Sequence, residues 1–178
     1  MSYFRTHRLR LVEFNVENLF IYLDHYQGQD FQHLNEKEWQ RLSASTEKNK
    51  PIEQVRQVAR TIRELQADIV MLCEVGGKES LENFAQHFLG GEYTVHLLEG
   101  NSDRGIDIGY LVKKSLPFRY DLISHKQRSI DFLYPHEKLS QETGYGDLRS
   151  AKVASHRFSR DVLELRVFED GVEPEIVV

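Results

Sequence analysis

Ala67-Asp68-Ile69-Val70-Met71-Leu72-Cys73-Glu74-Val75-Gly76-Gly77 is the stretch whose reading decides the fold. Residues 69–73 are continuously apolar, the pattern of a strand covered on both faces in a sheet with helical connections. Glu74 follows at the strand's C-terminal edge, and Gly76-Gly77 breaks it. A carboxylate there either reaches solvent or belongs to a site, and the strand alone does not separate the two. A Gly-rich phosphate loop is not indicated, because no full phosphate-binding pattern accompanies the glycine pair; a turn is expected.

Upstream, Pro51 stands where a helix opens. Ile52, Val55, Ala59, Ile62 and Leu65 recur at helical spacing, with Glu53, Gln54, Arg56, Arg60 and Glu64 on the wet side. Before that helix, Leu11-Val12-Glu13-Phe14-Asn15-Val16 alternates as a strand running over residues 9–16, with Leu9, Leu11 and Glu13 on one face and Arg10, Val12 and Phe14 on the other. A strand–helix–strand crossover joins parallel strands and sets their C-terminal ends on one edge. Asn15 is therefore expected level with Glu74. Its side chain could equally close an Asx-turn at the strand end.

Residues 21–50 read as a polar surface insertion with one short helix. Asn35-Glu36-Lys37-Glu38 has the form of a capping box, and Trp39 and Leu42 share one face. Trp39 is expected to pin the insertion to the body rather than to touch substrate.

Downstream, Leu81, Phe84, Ala85, Phe88 and Leu89 mark a helix over 79–89 that Gly90-Gly91 stops. Strands are expected at 93–98, 106–112, 118–124 and 162–168, with a partner strand at 174–178 beyond the Gly171 turn. Arg104 sits in the loop opening the 106–112 strand, suited either to bidentate phosphate binding or to an ion pair with Asp103 or Asp107. Asp107 is expected to be satisfied by Arg104. Residues 113–130 carry Lys113, Lys114, Arg119, Lys126 and Arg128 against Asp121, a solvated face or a surface for a phosphodiester backbone. Residues 129–152 read as loop.

Three segments together carry a resemblance: Phe14-Asn15-Val16 ending the first strand, Asp68-Ile69 leading to Glu74-Val75, and Arg104-Gly105-Ile106-Asp107-Ile108-Gly109. In that order they resemble the N-terminal half of the endonuclease/exonuclease/phosphatase superfamily, the DNase I-like metal-dependent phosphoesterases. The resemblance covers residues 8–178, with Ser159-Arg160-Asp161 and the hairpin that follows resembling the family's middle. It implies an α/β fold, the DNase I-like α/β sandwich, of which residues 9–178 supply roughly one sheet with its flanking helices behind an N-terminal extension of residues 1–8. It also implies that Asn15 and Glu74 hold a catalytic Mg²⁺ or Mn²⁺ and that Arg104 meets a nucleic acid or other phosphoester substrate. Hard cations of this kind take oxygen ligands from one or two carboxylates plus water and phosphate.

The family pattern continues into an Asn-His segment, an Asp-x-Asn motif and a terminal Asp-His. None is placed here; Asp24-His25 is the sole Asp-His pair and lies in the polar insertion. The expectation is thus a metal-dependent phosphodiesterase, most like a nuclease, whose remaining ligands lie elsewhere. The alternative is an inactive half-domain acting as a binding module, with a missing C-terminal half or a protein partner covering an open, apolar sheet face.

The whole chain agrees with a single domain. Its 178 residues suffice for a hydrophobic core, and a net charge of −5 excludes a global basic field for nucleic acid. The hairpin region is acidic, with Asp161, Glu164, Glu169, Asp170, Glu173 and Glu175 against Arg166. Cys73 is the lone cysteine, so no internal disulfide forms. No His-x-x-x-His or Cys-x-x-Cys occurs, which argues against zinc. Neither a signal peptide nor a membrane-length apolar run is read, so a soluble cytoplasmic protein is expected.

Overall fold

A computed structural model describes residue 3, residues 7–130, residue 135 and residues 156–178. Most of the stretch read as loop at 129–152, with His136 and Gly144-Tyr145-Gly146, lies outside the described residues, as does most of the extension at 1–8. The elements run β1 (Leu11–Leu19), α1 (Glu36–Gln40), α2 (Ile52–Leu65), β2 (Ile69–Val75), α3 (Gly77–Phe88), β3 (Tyr93–Leu97), β4 (Asp107–Lys113), β5 (Arg119–Ser124), β6 (Leu163–Phe168) and β7 (Ile176–Val177).

The architecture is mixed α/β with two sheets, one of four strands in the order β1-β2-β4-β3 and one of three in the order β5-β6-β7. β1 and β2 pair in parallel through the α2 crossover, and β4 lies antiparallel to both β2 and β3. β2 thus occupies the interior of its sheet, and its apolar run has a purpose on each side. Val70 and Leu72 pack towards α2 and α3 with Val55, Ala59, Ile62, Leu81 and Phe84. Ile69 turns the other way, with Tyr110 and Val112 of β4, against Leu163, Leu165 and Val167 of β6.

That second core corrects the expectation of about one sheet with an open inner face. Leu163, Leu165 and Val167 alternate along β6, so the hairpin region that reads as acidic also carries a buried apolar stripe inward, and one of its charges, Asp161, is itself buried. The Tyr110 hydroxyl ties the layers, its single O–H shared between the carbonyls of Leu163 and Val178, and burial pushes its pKa up to about 12.

Along α2, Leu65 is exposed where the helical spacing put it inside, and Val58 is buried in addition to the predicted stripe. The helix ends at Gln66 in the left-handed conformation. The α3 stripe is buried as expected, and Gly90 and Gly91 both take positive φ, terminating it.

The segment 21–50 contributes to the core as well as to the surface. Asn35 and Glu38 form the reciprocal capping box that opens α1. Ile21, Phe31, Trp39 and Leu42 are buried in the helix-side core. Trp39 holds the segment to the body: its Nε1–H donates to the Lys50 carbonyl at 2.8 Å.

Gly109 of β4 lies beneath α3, where a Cβ would sit 2.6 Å from Leu81 Cδ2 and 3.0 Å from Leu97 Cδ1. Gly109→Ala is therefore expected to lose about 1–3 kcal/mol of stability through overpacking, measured as a lower urea midpoint with unchanged slope. An unchanged midpoint would show that α3 does not rest on β4 this closely.

Candidate active site

The site is built where β1 and β2 leave their regular pairing. Asn15 faces Cys73 and Leu19 faces Val75, with a register shift between those pairs on each strand. Inside the irregularity Glu17 (φ 47°), Asn18 (φ 58°) and Glu74 (φ 66°) all take the left-handed conformation. For residues other than glycine this costs on the order of 1–3 kcal/mol each and persists only where surrounding structure enforces it. Here the Asn15 Oδ1 accepts the Glu17 N–H at 2.9 Å and the Leu19 carbonyl accepts the Gly76 N–H at 2.9 Å. The Asx-turn open to Asn15 in the sequence is thus present.

These bulges open onto a cleft of about 1190 Å³. Glu17 and Asn18 line it from β1, Glu74 from β2, Asp103 and Arg104 from the loop before β4, and residues 48–51 from the approach to α2. Of the site residues expected from sequence, the structure brings Glu74 and Arg104 into one cleft. Asn15 sits one step from Glu74 across the strand pair but does not line the cleft; the amide that does is Asn18.

Glu74 is held from the second-sheet side by Arg160, whose Nη2 lies 3.5 Å from Oε1. Arg104 donates from Nη2 to Asn18 Oδ1 at 3.1 Å, so neither ion pair weighed for it is what fixes it. Asp107 is not satisfied by Arg104. Its Oδ1 accepts the Gly100 N–H at 2.7 Å instead, because Asp107 points into the body with only 5% of its surface exposed. The adjoining loop is tied to the second-sheet side: Asn101 Nδ2 donates to the carbonyls of Lys126 and Phe158, and Asp161 Oδ1 accepts the His125 N–H at 2.8 Å. The loops carrying Arg104 and Arg160 are thereby braced against each other.

Lys50 had no signal in the sequence beyond the run Lys48-Asn49-Lys50 before Pro51. It is 7% exposed, and Nζ donates to the Glu17 carbonyl at 3.0 Å. Burial lowers its pKa, while the Glu17 and Glu74 carboxylates oppose that shift. Cys73, half-buried beside Asn15, has its thiol pKa raised, first by burial and then by Glu13.

In the basic stretch at 113–130, three of the five cations are engaged within the protein. Arg119 pairs with Asp121 at 2.8 Å, Lys113 with Asp68 at 3.4 Å, and Lys126 Nζ donates to the Glu99 carbonyl at 2.7 Å. It acts as a solvated face.

The donor chemistry fits a hard divalent cation coordinated only partly by protein. Glu74 presents a carboxylate and Asn18 an amide oxygen to the cleft, the latter also accepting from Arg104, while the Asn15 amide lies just outside the cleft lining and accepts the Glu17 N–H. Among the described residues no group of three or more His, Cys, Asp or Glu side chains converges on a metal position, so water and substrate oxygens would complete the shell, as Mg²⁺ favours. Charge points the same way. Glu17, Glu36, Glu47, Glu74 and Asp103 line the cleft against Lys48, Lys50 and Arg104, a surplus of carboxylates that a bound cation would offset.

Comparison with known protein families, curated proteins and solved structures finds no match to this chain. Among the described residues no helix is long and apolar enough to cross a membrane.

Burial, reinforced by Glu99 and Asp161, raises the Asp107 pKa despite the Gly100 N–H, which lowers it. A carboxyl raised in the folded state stabilises the fold most below the unfolded value, about 3.9, and that contribution is lost as pH rises through the folded value. Asp107→Asn is accordingly expected to be more stable than the parent near pH 7, with the gap closing towards about pH 4. Urea unfolding at both pH values measures this; a variant less stable near neutrality would contradict it.

Proposed function

We propose that the cleft is the metal-holding part of a divalent-metal-dependent phosphoester hydrolase of the DNase I-like endonuclease/exonuclease/phosphatase type, acting on a phosphodiester in the manner of a nuclease. The observation that carries this reading is Glu74, a partly buried carboxylate in a left-handed bulge at the C-terminal edge of an interior strand, sharing one cleft with Arg104.

In this reading Glu74 would offer carboxylate oxygens to Mg²⁺ or Mn²⁺ from the cleft wall, with Arg160 holding that carboxylate in place, and Asn15, one residue away across the strand pair, would join it by turning its amide from the Glu17 N–H. Such an ion, when bound, neutralises phosphate charge and activates water for in-line attack. Arg104 is set by Asn18 with its remaining N–H groups free to meet a phosphate, where a guanidinium binds bidentately. The Glu17–Asn18 turn fixes the floor between them. No step falls to Cys73 or to the acidic outer face of β6.

The rival reading, a non-catalytic half that recruits a partner through an open sheet, draws little support. Ile69, Tyr110 and Val112, the residues that would form that face, are at most 3% exposed beneath β6.

Glu74→Gln is expected to weaken Mn²⁺ binding, read by electron paramagnetic resonance, at least about tenfold and to abolish Mn²⁺-dependent hydrolysis of bis(p-nitrophenyl) phosphate. Arg104→Met is expected to raise KM with kcat little changed, the signature of lost substrate binding. Hydrolysis by the parent that Glu74→Gln leaves untouched would sink the assignment.

A further inference from the structure

The Glu17–Asn18 turn holds two cations, one on each residue. Lys50 Nζ donates to the Glu17 carbonyl, and Arg104 Nη2 donates to the Asn18 side-chain oxygen. Both acceptors are neutral. A carboxylate acceptor would orient a cation and also cancel its charge; a carbonyl or amide oxygen orients it and leaves the charge available. Two consecutive residues in the left-handed conformation thus aim two positive charges into one cleft.

Lys50 is the less expected of the two. An ammonium has three N–H donors, and among the described residues the Glu17 carbonyl is its hydrogen-bond acceptor, with no carboxylate in ion-pair contact. Burying a charge with no carboxylate in contact is unfavourable, and the Glu17 and Glu74 carboxylates offset this only from beyond ion-pair distance. The fold nevertheless commits several bonds to keeping Lys50 there. Its N–H donates to the Phe20 carbonyl at 2.9 Å and its carbonyl accepts from Trp39 Nε1 at 2.8 Å. Its neighbour Asn49, 2% exposed, exchanges side-chain bonds with the Tyr22 backbone at 2.7 and 3.0 Å and accepts from Gln40 Nε2 at 2.7 Å. A lysine needed only for solubility would be left to swing in solvent. This one is fixed through its backbone and lines the cleft.

We propose that Lys50 and Arg104 form a phosphate subsite in which a non-bridging phosphoryl oxygen of the substrate becomes the contacting anion that Lys50 does not have among the described residues. This deepens the phosphoester reading and rests on it for the identity of the anion. Lys50 is a substrate-binding residue here, with Trp39 and Asn49 as the residues that position it. No covalent step passes through it.

Trp39 is the single tryptophan in the chain and is bonded to Lys50 itself, so its fluorescence is a built-in reporter. The 178-residue chain is titrated with inorganic phosphate. A saturable Trp39 response is expected, weakened at least about tenfold in Lys50→Gln and held within about threefold in Lys50→Arg, in keeping with a charge-assisted contact. Because Lys50→Gln alters a buried site, the unsubstituted protein gives an independent reading: the ¹⁵N resonance of the Lys50 ammonium should shift saturably with phosphate.

An ammonium resonance indifferent to phosphate, or a Lys50→Gln variant that binds phosphate as the parent does, overturns the subsite. Glu74→Gln separates the two readings, since it should keep the phosphate response while losing Mn²⁺. A Lys50-dependent phosphate response in a parent protein that neither binds Mn²⁺ nor cleaves phosphodiesters supports the subsite and overturns the hydrolase. Hydrolysis and Mn²⁺ binding intact in Lys50→Gln, with KM unmoved, does the reverse.

Discussion

The parallel pairing of β1 with β2 is the constraint on which the rest depends. Over residues 11–15 and 69–73 it is regular, and regularity there is enforced by burial of Val70 and Leu72 on one side and Ile69 on the other. A one-residue slip would carry each of these to the wrong face. Beyond Asn15 and Cys73 the same two strands fall out of register, and the left-handed residues Glu17, Asn18 and Glu74 cluster in the gap. Strain of this kind survives only when neighbouring structure over-determines it, and the flanking ladders, anchored in two cores, do so. The cleft is thus a by-product of how strongly its surroundings are fixed.

The segment between β1 and α2 links core and site. Trp39 is buried among Phe31 and Phe88, edge-on to both rings, and its one polar atom reaches the backbone of Lys50. Packing a large aromatic residue and placing the Lys50 cation at the cleft are therefore a single event. Any change that loosens α1 from the body moves Lys50 as well, coupling stability and binding in this half of the cleft. On the other half, the braces from Asn101 and Asp161 play the same part for the loops that carry Arg104 and Arg160.

Much of this was legible in the sequence, for identifiable reasons. β2, α2 and α3 rest on apolar periodicity, and the crossover rule then placed Asn15 and Glu74 at one edge. The capping box at Asn35 and the glycine stop after α3 are local signals read by local chemistry. The second sheet's role was not legible, because the charges of the 161–175 stretch obscured the alternation of Leu163, Leu165 and Val167. Asp107 was read towards Arg104 on proximity along the chain, whereas its side chain turns inward to Gly100. Asn18 and Lys50 were missed because their roles depend on a bulge and on a fold-back of residues 49–50 onto residues 17–22, neither of which leaves a periodic trace. The DNase I-like resemblance rests on three short motifs, and the cleft joins two of them directly, through Glu74 and Arg104, with the third one strand-step away.

The most direct test of the account is where a paramagnetic ion goes. With substoichiometric Mn²⁺ added to the ¹⁵N-labelled chain, amide signals should broaden selectively around Asn15–Asn18, Glu74–Gly76 and Arg104, while those of the acidic outer face at Glu169–Glu173 stay sharp at the same ratio. Broadening concentrated on that acidic face, or spread in proportion to surface carboxylates, would contradict the claim that the bulged ends of β1 and β2 form a metal-dependent phosphoester site.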